Sequence, residues 1–178
     1  MAVQRDAIQD NIVNLLVSRA SGAPTTVDHQ TAHAAKCVVM DSIAVALGAL
    51  RHRAAQAGRR YAYQFATTQG CALWGTDKRA TPEVAALANG VLLRCYDYND
   101  LVMGRQSGGH PSDMVAGLVA AAEWKNASGS DLIGAIVLAY DIALDLFDTV
   151  ALVPGGWDYA NLTAIAACCG IGRRMGLD

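Results

Sequence analysis

Seven stretches of helical apolar period, each closed by proline, glycine or a capping side chain, restrict what this chain can fold into more than any other feature it carries. The first runs from about Val3 to Ala20, with Ile8, Ile12, Leu15 and Leu16 on one stripe, and stops at Ser21-Gly22-Ala23-Pro24. A second, from about Val27 to Leu50, carries Ala32, Ala35, Val39, Ile43, Ala46 and Leu47 and reads as buried on more than one side. Arg51 to Thr67, with Tyr61, Tyr63 and Phe65, reads as a shorter, half-exposed helix. Thr81-Pro82-Glu83 opens the next, which runs to about Tyr96. There Thr81 can cap, Pro82 gives up no hydrogen bond at the first position, and Glu83 suits the positive end of the dipole. Pro111 suits a first helical position before Met114 to Trp124, and Ser128-Gly-Ser-Asp131 caps a helix from about Leu132 to Val150 that Pro154-Gly-Gly156 ends. The last spans about Tyr159 to Met175, ahead of Gly176-Leu177-Asp178. Cys71 to Gly75 is the one stretch that reads as extended, with a turn over Gly75 to Lys78, and a lone strand makes no sheet. The expected fold is all-α: one bundle-like domain of about seven helices over residues 1–178, in which Ala85, Ala86, Ala88 and Gly90 permit close helix approach.

Composition supports a single packed domain. With 178 residues and 53% apolar content, a chain of this size buries roughly 70% of its extended surface. A charged fraction of 17% opposes disorder. The net charge of −2, the lack of a basic run and the presence of only two Phe give nucleic-acid binding no support. The apolar run from Cys37 to Leu50 is broken by Asp41. No run reaches the roughly eighteen uninterrupted apolar residues of a spanning helix, so no membrane partner is expected. Arg5, Asp6 and Asp10 interrupt the first helical pattern, unlike a secretory signal. Five cysteines without a C-x-x-C pair fit reduced thiols and a cytoplasmic setting.

Chemistry concentrates in one place. Between Asp97 and Asp113 the chain reads Asp-Tyr-Asn-Asp-Leu-Val-Met-Gly-Arg-Gln-Ser-Gly-Gly-His-Pro-Ser-Asp, a polar, glycine-broken gap between two Ala-rich helices. His110, flanked by Gly109 and Pro111, has few rotamer options and can exchange a proton near neutral pH. If the last turn of the preceding helix persists, Asp97 and Asp100 share a face, and two carboxylates at one imidazole can divide the roles of acid and base. The same residues, with Asn99 and Asp113, serve equally as loop and capping groups, and spacing alone leaves both readings open. Arg105 is a candidate fork for a substrate carboxylate, by guanidinium geometry.

Elsewhere the signals are weak. His29 and His33 lie four apart but lack a third ligand, so no metal is expected. Cys168 and Cys169 read as packing residues, and Trp74, Trp124 and Trp157 as buried or half-buried ones. Gly170-Ile-Gly172 with Gly176 mimics a nucleotide loop but follows a helix rather than a strand.

Ala85-Ala-Leu-Ala-Asn-Gly90, Tyr96-Asp-Tyr-Asn-Asp100, Gly109-His-Pro-Ser-Asp113 and Ala122-Glu-Trp124, in that order, resemble the 2-methylcitrate dehydratase, or MmgE/PrpD, family. Ala35-Lys36 with Met40-Asp-Ser-Ile43 and Ala46-Leu-Gly48, Ser128-Gly129 with the Asp131 to Asp145 helix, and Gly176-Leu-Asp178 extend the similarity over nearly the whole chain. The resemblance implies a helical domain joined in full-length members to a smaller α+β lid, acid/base chemistry on small polycarboxylates, and no metal or organic cofactor. It implies that Asp97 and His110 are catalytic, supported by Asn99 and Asp100, with Ser112 and Asp113 in the same motif. Members act by dehydration, decarboxylation or epimerisation. Decarboxylase-like members often carry Thr where Leu101 stands. Many carry His-Pro near Trp157-Asp158-Tyr159, whereas dehydratases resemble this chain in having Asp there, so Asp158 points to a hydroxy tricarboxylate such as 2-methylcitrate. Members are much longer and carry lysine segments and the lid beyond the matched part. The resemblance therefore implies a partial site completed by further polypeptide, and a homodimer. The competing reading is a non-catalytic helical interaction domain, and either reading predicts apolar helix faces left open or covered by a partner.

Overall fold

The helical stretches fold as seven helices among the described residues: α1 (Ala2–Gly22), α2 (His29–Gly48), α3 (Arg53–Tyr63), α4 (Pro82–Arg94), α5 (Val115–Trp124), α6 (Gly129–Thr149) and α7 (Ala160–Met175). A computed structural model describes residues 2–23 and 26–175, the side chains of 2–10, 153 and 174–175 excepted. The expected stop at Pro24, the stripe position Ile8 and the closing Gly176-Leu177-Asp178 lie outside what is described. Caps set the boundaries. The Asp28 carboxylate accepts the Gln30 and Thr31 N–H groups at 2.9 and 3.0 Å, and Ser128 and Asp131 form a reciprocal capping box at the start of α6. At α4 the expectation needs correcting. Thr81 does not cap, because its hydroxyl donates to Glu83 Oε1 at 2.6 Å. Pro82 does occupy the first turn.

Extended structure is richer than a single strand. The stretch expected to be helical up to Thr67 leaves the helix at Tyr63, and Ala66–Ala72 (β1) pairs antiparallel with Arg79–Ala80 (β2) around the Gly75 turn. Helix side chains finish this ribbon's hydrogen bonding. Asn89 of α4 accepts from the Trp74 N–H at 3.0 Å and donates to the Ala72 carbonyl at 2.9 Å, while Glu123 of α5 accepts the Ala72 N–H at 2.7 Å. A two-residue pairing is thereby stable where a ribbon alone is marginal. Inside the polar gap, Val102–Met103 (β3) and Gly108–Gly109 (β4) form a second small hairpin.

Small residues let the helices approach closely. The main core joins α2, α5, α6 and α7 through Ala35, Leu118, Ile136, Ile142 and Ala166. A second cluster seats the β1–β2 ribbon on α4 through Cys71, Leu73, Ala80 and Ala88, and a third packs Ala46 and Ala55 against Leu92 and Leu93. Gly170 owes its place to packing: a Cβ there would lie 2.9 Å from the Ala135 carbonyl oxygen of α6.

α2 departs from the expectation of burial on several sides. Only Ala35, Ser42 and Ala46 are buried along it, and Met40, Ile43 and Leu47 are exposed. It is the one described helix long and apolar enough to cross a membrane by length and composition, although it carries Lys36 and Asp41 and packs on α4 and α6. Trp124 and Trp157 are also exposed, against the expectation of packing roles.

Candidate active site

α4 delivers the chain into the polar gap and stops at Arg94, short of the expected Tyr96. Asp97 then takes a left-handed backbone (φ 57°), which Asp tolerates better than most side chains, and its N–H closes on the Arg94 carbonyl at 3.1 Å. That corner turns the Asp97 carboxylate back onto the Arg94 guanidinium, with which it is paired. On the far side of the hairpin, Pro111–Met114 forms a 3-10 turn leading into α5, and His110 stands at its mouth.

The two candidates most strongly implicated by the sequence come together here. His110 Nε2 lies 3.2 Å from Asp97 Oδ1. The His110 side chain is 13% exposed and that of Asp97 68% exposed, so the pair runs from the protein edge toward solvent. The arrangement differs from two carboxylates on one helical face, because the helix ends before Asp97. Asp100 meets the imidazole through its main chain: its carbonyl oxygen is bonded to His110 Nδ1. The Asp100 carboxylate faces elsewhere, accepting the Ser112 N–H at 3.0 Å and the Tyr140 hydroxyl at 2.8 Å.

Behind the imidazole, Asp113 anchors a second set of contacts. Its oxygens accept from Asn99 Nδ2 at 2.9 Å and from the Tyr159 hydroxyl at 2.8 Å, with Arg94 Nε 3.5 Å away. Asn99 Nδ2 also reaches Ser112 Oγ at 2.9 Å. Because a carboxylate only accepts, these bonds fix the Asn99 amide orientation and leave its buried Oδ1 without a protein donor. Burial raises the Asp113 carboxyl above the ordinary value, opposed by the Tyr159 hydrogen bond and the Arg94 charge. Burial, reinforced by the bond to Asp113, pushes the Tyr159 hydroxyl up to about 12, and burial next to Asp100 raises that of Tyr140 as well. Both phenols therefore remain hydrogen-bond donors at neutral pH. The Tyr159 ring lies over Gly109, where a Cβ would come within 2.1 Å of it, so only glycine fits before His110.

Two sequence candidates lie apart from this cluster. Arg105, on the turn between β3 and β4, is bound to Asp148 of α6 through Nε at 3.2 Å and through its main-chain N–H at 3.0 Å. Asp158 accepts the Ala160 N–H at 2.8 Å, capping α7, and positions its neighbour Tyr159 rather than entering the cluster itself. Three participants escaped the sequence reading. Arg94 drew no reading from the sequence, although its spacing of three from Asp97 was a usable signal. Tyr140 falls among the apolar positions of the Leu132 to Val150 stretch, and Tyr159 at the start of the last helix, where neither carries a local signal of this role.

No group of three or more metal-ligating side chains occurs among the described residues. His33 Nε2 and Cys37 Sγ stand 3.8 Å apart on exposed α2 without a third ligand. The cluster instead offers an imidazole–carboxylate pair facing solvent, one guanidinium and two phenolic donors. Such a set can take or give a proton and hold one carboxylate of a ligand.

Comparison with known proteins gives a consistent result. Residues 20–178 match the MmgE/PrpD N-terminal domain. The mitochondrial 2-methylcitrate dehydratase of Yarrowia lipolytica is 27% identical over 114 residues, a stretch covering 58% of this chain and 22% of that protein. The matched part is thus about a fifth of the relative's length.

Proposed function

Because this chain belongs to the MmgE/PrpD family, we propose that it carries part of an acid/base site acting on a small polycarboxylate, with dehydration of 2-methylcitrate to 2-methylaconitate as the reaction. The observation that carries this reading is the His110–Asp97 pair, held 3.2 Å apart beside Arg94 at the solvent edge. In an elimination of this kind, a base removes a carbon-bound proton next to a carboxylate, and the hydroxyl departs with an added proton as water. His110 is the base or acid, and Asp97 is its partner in holding the proton. Arg94 receives a substrate carboxylate in exchange for its contact with exposed Asp97.

Charge explains why the site is partial. Asp97 and Asp113 already pair with the one guanidinium, and Asp97 with the one imidazole, so a tricarboxylate meets no local excess of positive charge. Additional cations and a cover against water belong to further polypeptide, which strengthens each remaining contact by excluding solvent. The test is formation of the conjugated product from 2-methylcitrate, followed by absorbance, with this chain alone and with a polypeptide supplying the rest of the family fold. Activity in either arm that falls by about 10²-fold or more in a folded His110→Ala variant supports the reading. Activity unaffected by that substitution removes His110 from the mechanism.

A second reading, a helical interaction domain without turnover, draws on the exposed apolar residues of α1 and of α2. It predicts partner-dependent stability and no product in either arm.

A further inference from the structure

The tautomer of His110 is written into its surroundings. A carbonyl oxygen carries no proton, so the bond between Asp100 O and His110 Nδ1 requires a proton on Nδ1. The neutral ring then has its lone pair on Nε2, the atom 3.2 Å from Asp97 Oδ1. A lone pair facing a carboxylate oxygen is repulsive, so the proton that comes and goes is the one between Nε2 and Asp97. Asp100 can impose this only if its own main chain is fixed. Its carboxylate is held by two donors, the Ser112 N–H from the turn and the Tyr140 hydroxyl from the middle of α6. Tyr140 is partly buried and forty residues from Asp100 in sequence, so this bond ties the catalytic loop to the main core.

We infer that Tyr140 is a positioning residue which, through Asp100, holds His110 as the Nδ1–H tautomer and confines proton exchange to Nε2. The inference rests on the reading of His110 as the acid/base group, but it concerns how the protein prepares that group. Tyr140 need touch no substrate. Arg94 and Asp113 act on other atoms, since Arg94 is paired with Asp97, and Asp113 is bound to Asn99 and Tyr159.

The experiment is ¹⁵N NMR of the histidine-labelled full chain without substrate, at alkaline pH where the ring is neutral, with His110 assigned by its loss in His110→Ala. The wild-type chain is expected to show a protonated Nδ1 and an unprotonated Nε2. Tyr140→Phe, which removes the 2.8 Å bond to Asp100, should raise the share of the Nε2–H form roughly fivefold, the loss of about one hydrogen bond. Asp100→Asn keeps one acceptor oxygen of two and should shift the ratio in the same direction, covering the case in which Tyr140→Phe does not fold. Tyr98→Phe, at an exposed tyrosine two residues from Asp100, should leave it at the wild-type value. A wild-type ring protonated on Nε2, or a ratio unmoved in the folded Tyr140 and Asp100 variants, overturns the inference. Since no turnover is read, an inactive chain can satisfy this test and an active one can fail it, so the inference and the proposed reaction fall separately.

Discussion

Around His110 each charged or phenolic group named has a protein partner, whereas α1 leaves Ile12 and Leu15 uncovered and α2 leaves Met40 and Leu47 uncovered, with Leu15 68% and Met40 70% exposed. The first region is built of polar residues in a segment without regular helical period. The second is built of apolar residues on two long helices. The contrast shows that pattern strength and structural completeness are separate properties. Apolar content carries a long helix but says nothing of whether the rest of its packing partners are present. A polar loop can be over-determined when helices on several sides supply hydrogen bonds to it.

That contrast can be broken first through the core that supports the loop. Phe147 is fully buried on α6, and its carbonyl accepts the Gln106 and Ser107 N–H groups of the hairpin turn at 3.0 and 2.9 Å. Phe147→Ala is expected to cost about 3–5 kcal/mol of stability by denaturant unfolding and to loosen the hairpin. A cost below about 1 kcal/mol would contradict the close packing of the Phe147 ring. Next, Ser128→Ala removes the capping box of α6 and should cost about 1 kcal/mol, measured the same way.

Asp113 sharpens the comparison through pH. Its folded carboxyl titrates above the ordinary 3.8 because burial disfavours the charge. Its linkage contribution is therefore greatest below that value and declines as pH rises through the raised folded value, since the folded state binds more proton in that window. The stability difference between the wild type and Asp113→Asn should fall across this window and flatten above it; a difference that rises with pH would reverse the assignment. The smallest effect belongs to the exposed residues of α2. Leu47→Lys should leave unfolding of the isolated chain within about 0.5 kcal/mol of wild type, while lowering binding of a hydrophobic dye. A large loss would show that this position is already packed.

Seven helices were legible in the sequence because each had a stripe and a stop. The β1–β2 ribbon was not, since Ala66–Ala72 lacks an alternating pattern and is held by Asn89 and Glu123, residues that no local rule connects to it. The convergence of Asp97 and His110 was legible only by resemblance; spacing left it open, and the left-handed corner at Asp97 was invisible. Arg105 looked like the available cation because it stood inside the polar gap. Arg94, three residues before Asp97 and paired with it, occupies that place as the last residue of α4, which ends two residues short of Tyr96. Tyr140 and Tyr159 reach the cluster from forty or more residues away in sequence, and only tertiary packing connects them to it.

The claim on which the function rests is that the His110–Asp97 pair moves a carbon-bound proton. It is tested most directly by deuterium wash-in from D₂O into 2-methylcitrate, followed by NMR in the presence of a polypeptide completing the family fold, because this reads proton removal even where elimination stalls. The expected result is exchange next to a carboxylate with the wild-type chain and its loss with folded His110→Ala. Equal exchange with both chains would contradict it.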